Sequence, residues 1–310
     1  MNINNLKESP LVSAAEAARW PTRWWLAYLI SLPVLLFVVG GVAAMVSSLV
    51  VPHGDRGIAG QFTEAFNSAV MFLALFLWVR FKEKRPVRSL GYPSGEALKR
   101  FLIGILIGAG MLTASVLSLE VLGQYQLIAP GPRAISGAAA ILPFLLLAVH
   151  WIIQASMEET VSRGYQLQVG GLQLPGWLAL LIPGLIFSGI HFVDTGFSEP
   201  FAMINILLFA LFASFIALRQ GSLWMVCGIH IGWNWFQGNA FGVPVSGAAP
   251  WDVALFHYGP TATSQHWLSG GSFGPEGSFI VTAIWLLALI ASYLYFRSGS
   301  QSIQYAVTEG

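Results

Sequence analysis

Along the chain, apolar runs alternate with short polar connections at a spacing that suits a bilayer better than a water-soluble core. A helix rises about 1.5 Å per residue, so ~20 apolar residues cross the hydrocarbon layer. Candidate spans fall at approximately 24–50, 62–79, 101–122, 137–160, 177–193, 201–218, 222–237 and 279–296. The second, fifth and seventh are short or interrupted. Trp24 and Trp25 open the first span, where indole rings favour the headgroup layer. The pattern predicts an all-α protein, a polytopic membrane helix bundle of about eight transmembrane helices.

Composition removes the main alternative. Only 9% of 310 residues are charged and 55% are hydrophobic, and the mean hydropathy is +0.68. A soluble domain carries roughly 25% charged residues, and an apolar soluble enzyme of this size could not cover its surface. The net charge of +1 matters less than its distribution. If the N-terminus is cytoplasmic, every Lys and Arg except Arg56 and Arg133 falls on the inner side. An even number of spans returns the C-terminus to the same side, beside Arg297. The expectation is an integral protein of the cell inner (plasma) membrane with both termini cytoplasmic. Arg80, Lys82, Lys84, Arg85 and Arg88 set topology on this reading and can touch anionic lipid. Membrane lipids are thus expected partners, and nucleic acid is not.

Smaller features refine this outline. The first 20 residues contain no signal-peptide-like apolar run, and Leu11–Trp20 reads either as a short surface helix or as an irregular tail. The single cysteine, Cys227, allows no intrachain disulfide and no thiolate cluster, and reads as core packing. The segment 238–278 has eight glycines, no Lys or Arg, and several aromatic residues. It is predicted to fold back as a cap on the outer face. A metal pair from His257 and His266 is the weaker reading of that segment.

An ionisable residue at mid-membrane costs roughly 2.5–3.5 kcal/mol on insertion scales, so polar residues inside spans need a reason. Glu158 and Glu159 end the fourth span, and Arg163 stands one helical turn beyond Glu159 and can pair with it. Glu158 points about 100° away. Phe187 and His191 share a face of the fifth span, as do His230 and Asn234 on the seventh. Three polar clusters on three apolar helices should all seek the bundle interior. They would meet if the fourth helix continues to about Gln168, which lifts Glu158 away from its end.

A carboxylate, two imidazoles and an amide suffice for hydrolysis by water. Glu158 can take a proton from water, His191 can orient or assist it, and His230 with Asn234 can stabilise an oxyanion. The same atoms could instead hold Zn²⁺ through Glu158, His191 and His230, leaving a position for water. Membrane acids and histidines also build proton relays, so a proton-coupled transporter is a third possibility. A non-catalytic scaffold or immunity-type protein that binds a partner through these groups is a fourth.

The ordered motifs Glu158-Glu159-xxx-Arg163, Phe187-xxx-His191 and His230-xxx-Asn234 resemble the CAAX-protease and bacteriocin-processing family of intramembrane endopeptidases. Gly164 extends the first motif in the customary way, and Arg88-Ser-Leu-Gly91 looks like a common lead-in. The resemblance implies a catalytic core over 101–237, preceded by a tail, two spans and a basic loop over 1–100. An extracytoplasmic loop and the last span follow over 238–310. It further implies that Glu158, His191, His230 and Asn234 are catalytic, with Glu159, Arg163 and Phe187 in support. The implied substrate is a membrane-tethered or hydrophobic peptide. The glutamate mechanism needs no cofactor, and zinc is the alternative. Thr160, Val161 and Ser162 are smaller than the residues common there, and the long loop 238–278 is unusual.

Overall fold

A computed structural model describes residues 2–191 and 200–298. Its helices are α1 (Trp24–Ser47), α2 (Ile58–Glu83), α3 (Ala97–Val121), α4 (Gly137–Gln173), α5 (Gly176–Ile190), α6 (Pro200–Gln220), α7 (Trp224–Trp235) and α8 (Phe279–Arg297). Among the described residues, six of these are long and apolar enough to cross a membrane, while α5 and α7 are shorter. The protein is a polytopic helical membrane bundle. Side chains such as Phe37, Leu106, Leu142, Leu287 and Leu294 stay exposed on its flanks, as lipid-facing positions do in the absence of a water-driven need for burial.

Two helices run further than their apolar runs. The second span is not short: α2 begins at Ile58 and ends at Glu83. Its added polar residues are held at the two ends. Gln61 faces His150 at 3.3 Å, and Lys82 donates to Thr22 at 2.9 Å and to the Trp20 carbonyl at 3.0 Å. The fourth helix passes the expected Gln168 and continues to Gln173. It does so through wide i→i+5 turns over Ser162–Gln166, a form that often marks functional sites. The end of the predicted fifth span and Asp194 lie outside the described residues.

Glycines set the packing of α3 on α7. Gly104 and Gly108 face Gly228 and Gly232, and a Cβ at any of the four would meet a backbone carbonyl of the other helix. Small residues four apart let membrane helices approach closely without a hydrophobic driving force. On α7 the glycine face is nearly opposite the face carrying His230 and Asn234. Seating the glycines on α3 therefore turns those two side chains inward.

The N-terminal tail is helical and buried rather than irregular. Pro10–Ser13 starts at Ser9, whose hydroxyl accepts from the Leu11 amide and donates to the Leu218 carbonyl at 2.7 Å. Leu6, Leu11 and Val12 join the main core. This tail, the stretch 80–91 and the helix end near Gln173 gather at one end of the bundle. Arg85 donates to Glu83 at 2.6 Å and to Gln168 at 2.8 Å, and Gln168 donates to the carbonyls of Leu11 and Ser89.

The segment 238–278 lies at the opposite end and does fold onto the bundle. Strand β1 (Tyr125–Leu127) pairs antiparallel with β2 (Tyr258–Pro260), with Gln126 opposite Gly259. Trp251, Val253, Ala254 and Phe273 are buried. Arg56 stacks its guanidinium 3.8 Å from the Trp251 ring centroid and donates to the Ala249 carbonyl. Burial lowers the pKa of Arg56 from its ordinary value, while Glu64 and Asp252 pull it back up. Among the described residues no group of three or more His, Cys, Asp or Glu side chains is placed to hold a metal ion, and His257 and His266 belong to no such group.

Candidate active site

Helix α4 carries the acidic pair at about 22 Å from its Gln173 end, by its rise per residue. It has no choice but to bury Glu159, which is 0% exposed. One oxygen of Glu159 accepts from Arg163 Nη1 at 2.9 Å and faces His230 Nδ1 at 2.9 Å. A carboxylate oxygen only accepts, so His230 carries its proton on Nδ1. That leaves Nε2 toward Glu158 Oε2, 3.8 Å away. Arg163 lies over the rings of Phe187 at 4.6 Å and Phe209 at 5.3 Å, where cation–π attraction offsets part of its lost hydration.

Glu158 has a different environment. Its Oε1 accepts from Gln154, one turn earlier on α4, and its Oε2 is buried without a hydrogen bond. Gln154 in turn accepts from Asn234 Nδ2 at 3.4 Å. Glu158, Gln154, Asn234, His230 and Glu159 thus form one connected polar group between α4 and α7. Gln154 escaped sequence reading because a glutamine inside a helix draws no attention alone. The signal was its spacing of four residues before Glu158.

His191 closes α5. Its Nδ1 lies 2.7 Å from the Phe187 carbonyl, and the two rings are 4.9 Å apart. Phe187 also sits edge-on to His230 at 6.2 Å. His191, His230 and Asn234 line one cavity, together with Phe187, Asn205 and Glu276. Glu158 opens instead onto a second, mostly apolar cavity between helices, lined by Leu35, Met71, Val161 and Ile186. Phe187 borders both.

The structure therefore brings Glu158 Oε2 to 3.8 Å from His230 Nε2 and places His191 and Asn234 on the cavity that His230 lines. Glu159, Arg163 and Phe187 brace that group. Gly164 also has a physical reason: a Cβ there would crowd the Leu90 carbonyl and Leu223. The Arg88–Gly91 stretch docks at this point, and Gly91 accepts from the Leu223 amide at 2.8 Å. Asn205 and Glu276, which lie outside the three motifs, are additions made by the fold.

Zinc fits this arrangement poorly. Among the described residues, Glu158, His191 and His230 do not converge as a set that could share one ion.

No curated protein and no solved structure matches the chain. Residues 140–236 match the family described as Type II CAAX prenyl endopeptidase Rce1-like. That range contains all three motifs and runs from the start of α4 to the end of α7. The match thus sets an Rce1-like endopeptidase domain over the buried glutamates and both histidines, and it indicates a protease.

Proposed function

We propose that the chain cleaves a membrane-tethered peptide with water activated by Glu158. The observation that carries this reading is the pairing of Glu158 Oε2 with His230 Nε2 at 3.8 Å, deep in an apolar bundle. The gap is too long for a hydrogen bond and is the length a bridging water spans. Glu158 takes a proton from that water as oxygen attacks the carbonyl carbon, and returns it to the departing amine. His191 orients the attacking water from the adjoining cavity. Asn234 offers a hydrogen bond to the oxygen that becomes negative, and His230 adds one through Nε2–H in its doubly protonated form. Glu159 orients the His230 ring through Nδ1–H, and Arg163 holds Glu159.

The apolar lining of the cavity that reaches Glu158 suits contact with a hydrocarbon chain attached to the peptide, such as the prenyl group in the family's name. The cation distribution supports cytoplasmic termini, so a cytoplasmic peptide would enter from the basic end. No step needs a cofactor.

Glu158→Gln is the deciding variant. Incubated in nanodiscs with a farnesylated C-terminal peptide, wild-type chain should release the tripeptide. Glu158→Gln should lose at least about 100-fold in rate while eluting as a folded protein. Full activity in that variant would reject the role of Glu158. A chelator should leave wild-type activity unchanged, whereas loss restored by zinc would return the metal mechanism.

A further inference from the structure

The cavity beside His191, His230 and Asn234 has a second wall that the proposed chemistry does not use. Asn205 of α6 and Glu276 of the 238–278 segment contribute to it, with Ser246, whose amide donates to Glu276. Both acceptors are buried, Asn205 at 1% and Glu276 at 9% exposure. Their orientation is fixed by bonds made elsewhere. Asn205 Nδ2 donates to the carbonyls of Glu276 at 2.7 Å and Ser278 at 3.0 Å. Two carbonyl acceptors settle which end of the amide is nitrogen. Asn205 Oδ1 is then left buried without a hydrogen-bond partner among the described residues.

Glu276 is held with equal firmness. It accepts from Trp233 Nε1 at 3.2 Å, Gln237 Nε2 at 3.0 Å and the Ser246 amide. All three donors are neutral, and no Lys or Arg pairs with it among the described residues. The turn that delivers it is specified by glycine. Gly270 and Gly274 have φ of +88° and +89°, and a Cβ on Gly270 would run into the Gly274 carbonyl. The chain thus places a carboxylate and an unpaired amide oxygen on one wall of a cavity whose other wall carries the histidines. Buried acceptors without donors are costly. A ligand that brings N–H groups, and above all a cation, relieves that cost.

We infer that Glu276 and Asn205 form a specificity subsite for a basic residue of the peptide, next to the bond to be cleaved. The ammonium or guanidinium would lie against the Glu276 carboxylate and donate to Asn205 Oδ1. This inference rests on the peptidase reading for its ligand, but its test does not require cleavage.

The probe is a set of palmitoylated alanine octapeptides in nanodiscs, each with one position set to Lys, norleucine, Arg or citrulline. Binding is measured to the Glu158→Gln chain, which does not turn over. At one position Lys and Arg should bind about tenfold tighter or better than norleucine and citrulline, as expected for a charge-assisted hydrogen bond. Adding Glu276→Gln should bring that ratio close to one with norleucine binding unchanged. Equal binding of charged and neutral peptides at every position would overturn the subsite. So would a preference that survives Glu276→Gln. If Glu276→Gln disturbs the cap, the Arg against citrulline comparison in the intact cap still decides. A preference for Lys in a chain whose wild type cleaves nothing would leave the subsite standing and remove the peptidase reading.

Discussion

Glu158 and Glu159 are neighbours in sequence, yet a rotation of about 100° gives them separate duties. Glu159 is the buried brace, shared by Arg163 and His230. Removing one member of a buried ion pair typically costs 3–5 kcal/mol. Glu159→Gln should therefore lower unfolding stability by about that amount, read as a shift in the detergent-titrated unfolding midpoint. Glu158→Gln should change stability by less than about 1 kcal/mol, because its carboxylate accepts one hydrogen bond, from Gln154, and stands 3.8 Å from His230, too far for another. Equal losses in the two variants would contradict this division. The pairing of Glu159 with Arg163 was legible from spacing alone. The tie from Glu159 to His230, 71 residues away, was not, because no local pattern encodes which face of a later helix will turn toward it.

At the scale of the element, α7 is aimed by its glycines. A Cβ at Gly228 would meet the Phe101 carbonyl, whereas one at Gly110 on α3 has open space around it. Gly228→Leu should separate the helices, cost upwards of about 1–3 kcal/mol, and abolish cleavage by moving His230. Gly110→Leu should be neutral within about 0.5 kcal/mol. Thermal unfolding and peptide release measured on both variants distinguish a packing role from a general dislike of bulk. The apolar runs announced the helices, since periodicity and length are local properties. They gave the ends of α2 and α4 too early, because polar residues such as Gln61, Lys82 and Gln168 stop an apolar run but not a helix that offers them partners. The pairing of β1 with β2 joins residues 125–127 to 258–260, and nothing in either short segment names the other.

For the molecule as a whole, the two ends differ in charge. Apart from Arg163, which is buried within α4, every cation except Arg56 and Arg133 belongs to the tail, the helix ends or the connections grouped on one side. With Cys227→Ser as background, single cysteines at exposed Glu16, Thr263 and Ser298 report orientation. A membrane-impermeant maleimide should label Glu16→Cys and Ser298→Cys only from the cytoplasmic face, and Thr263→Cys only from the other. Labelling of Glu16→Cys from outside would invert the assignment. Sequence could indicate which end is basic and that 238–278 would fold back as a cap, but not that Glu276 would be the residue it sets against the motif helix. That depended on Glu276 finding Trp233 and Gln237 across a turn held by Gly270 and Gly274.

Phe187 borders both cavities. Its ring meets an apolar compartment that takes in Glu158 and a mixed one that takes in His191, His230, Asn234 and Glu276. A peptide carrying a lipid would be sorted across that ring, hydrocarbon on one side and amide backbone on the other. Its scissile bond would then be registered by where the two chemistries join, whatever the identity of the residues that follow.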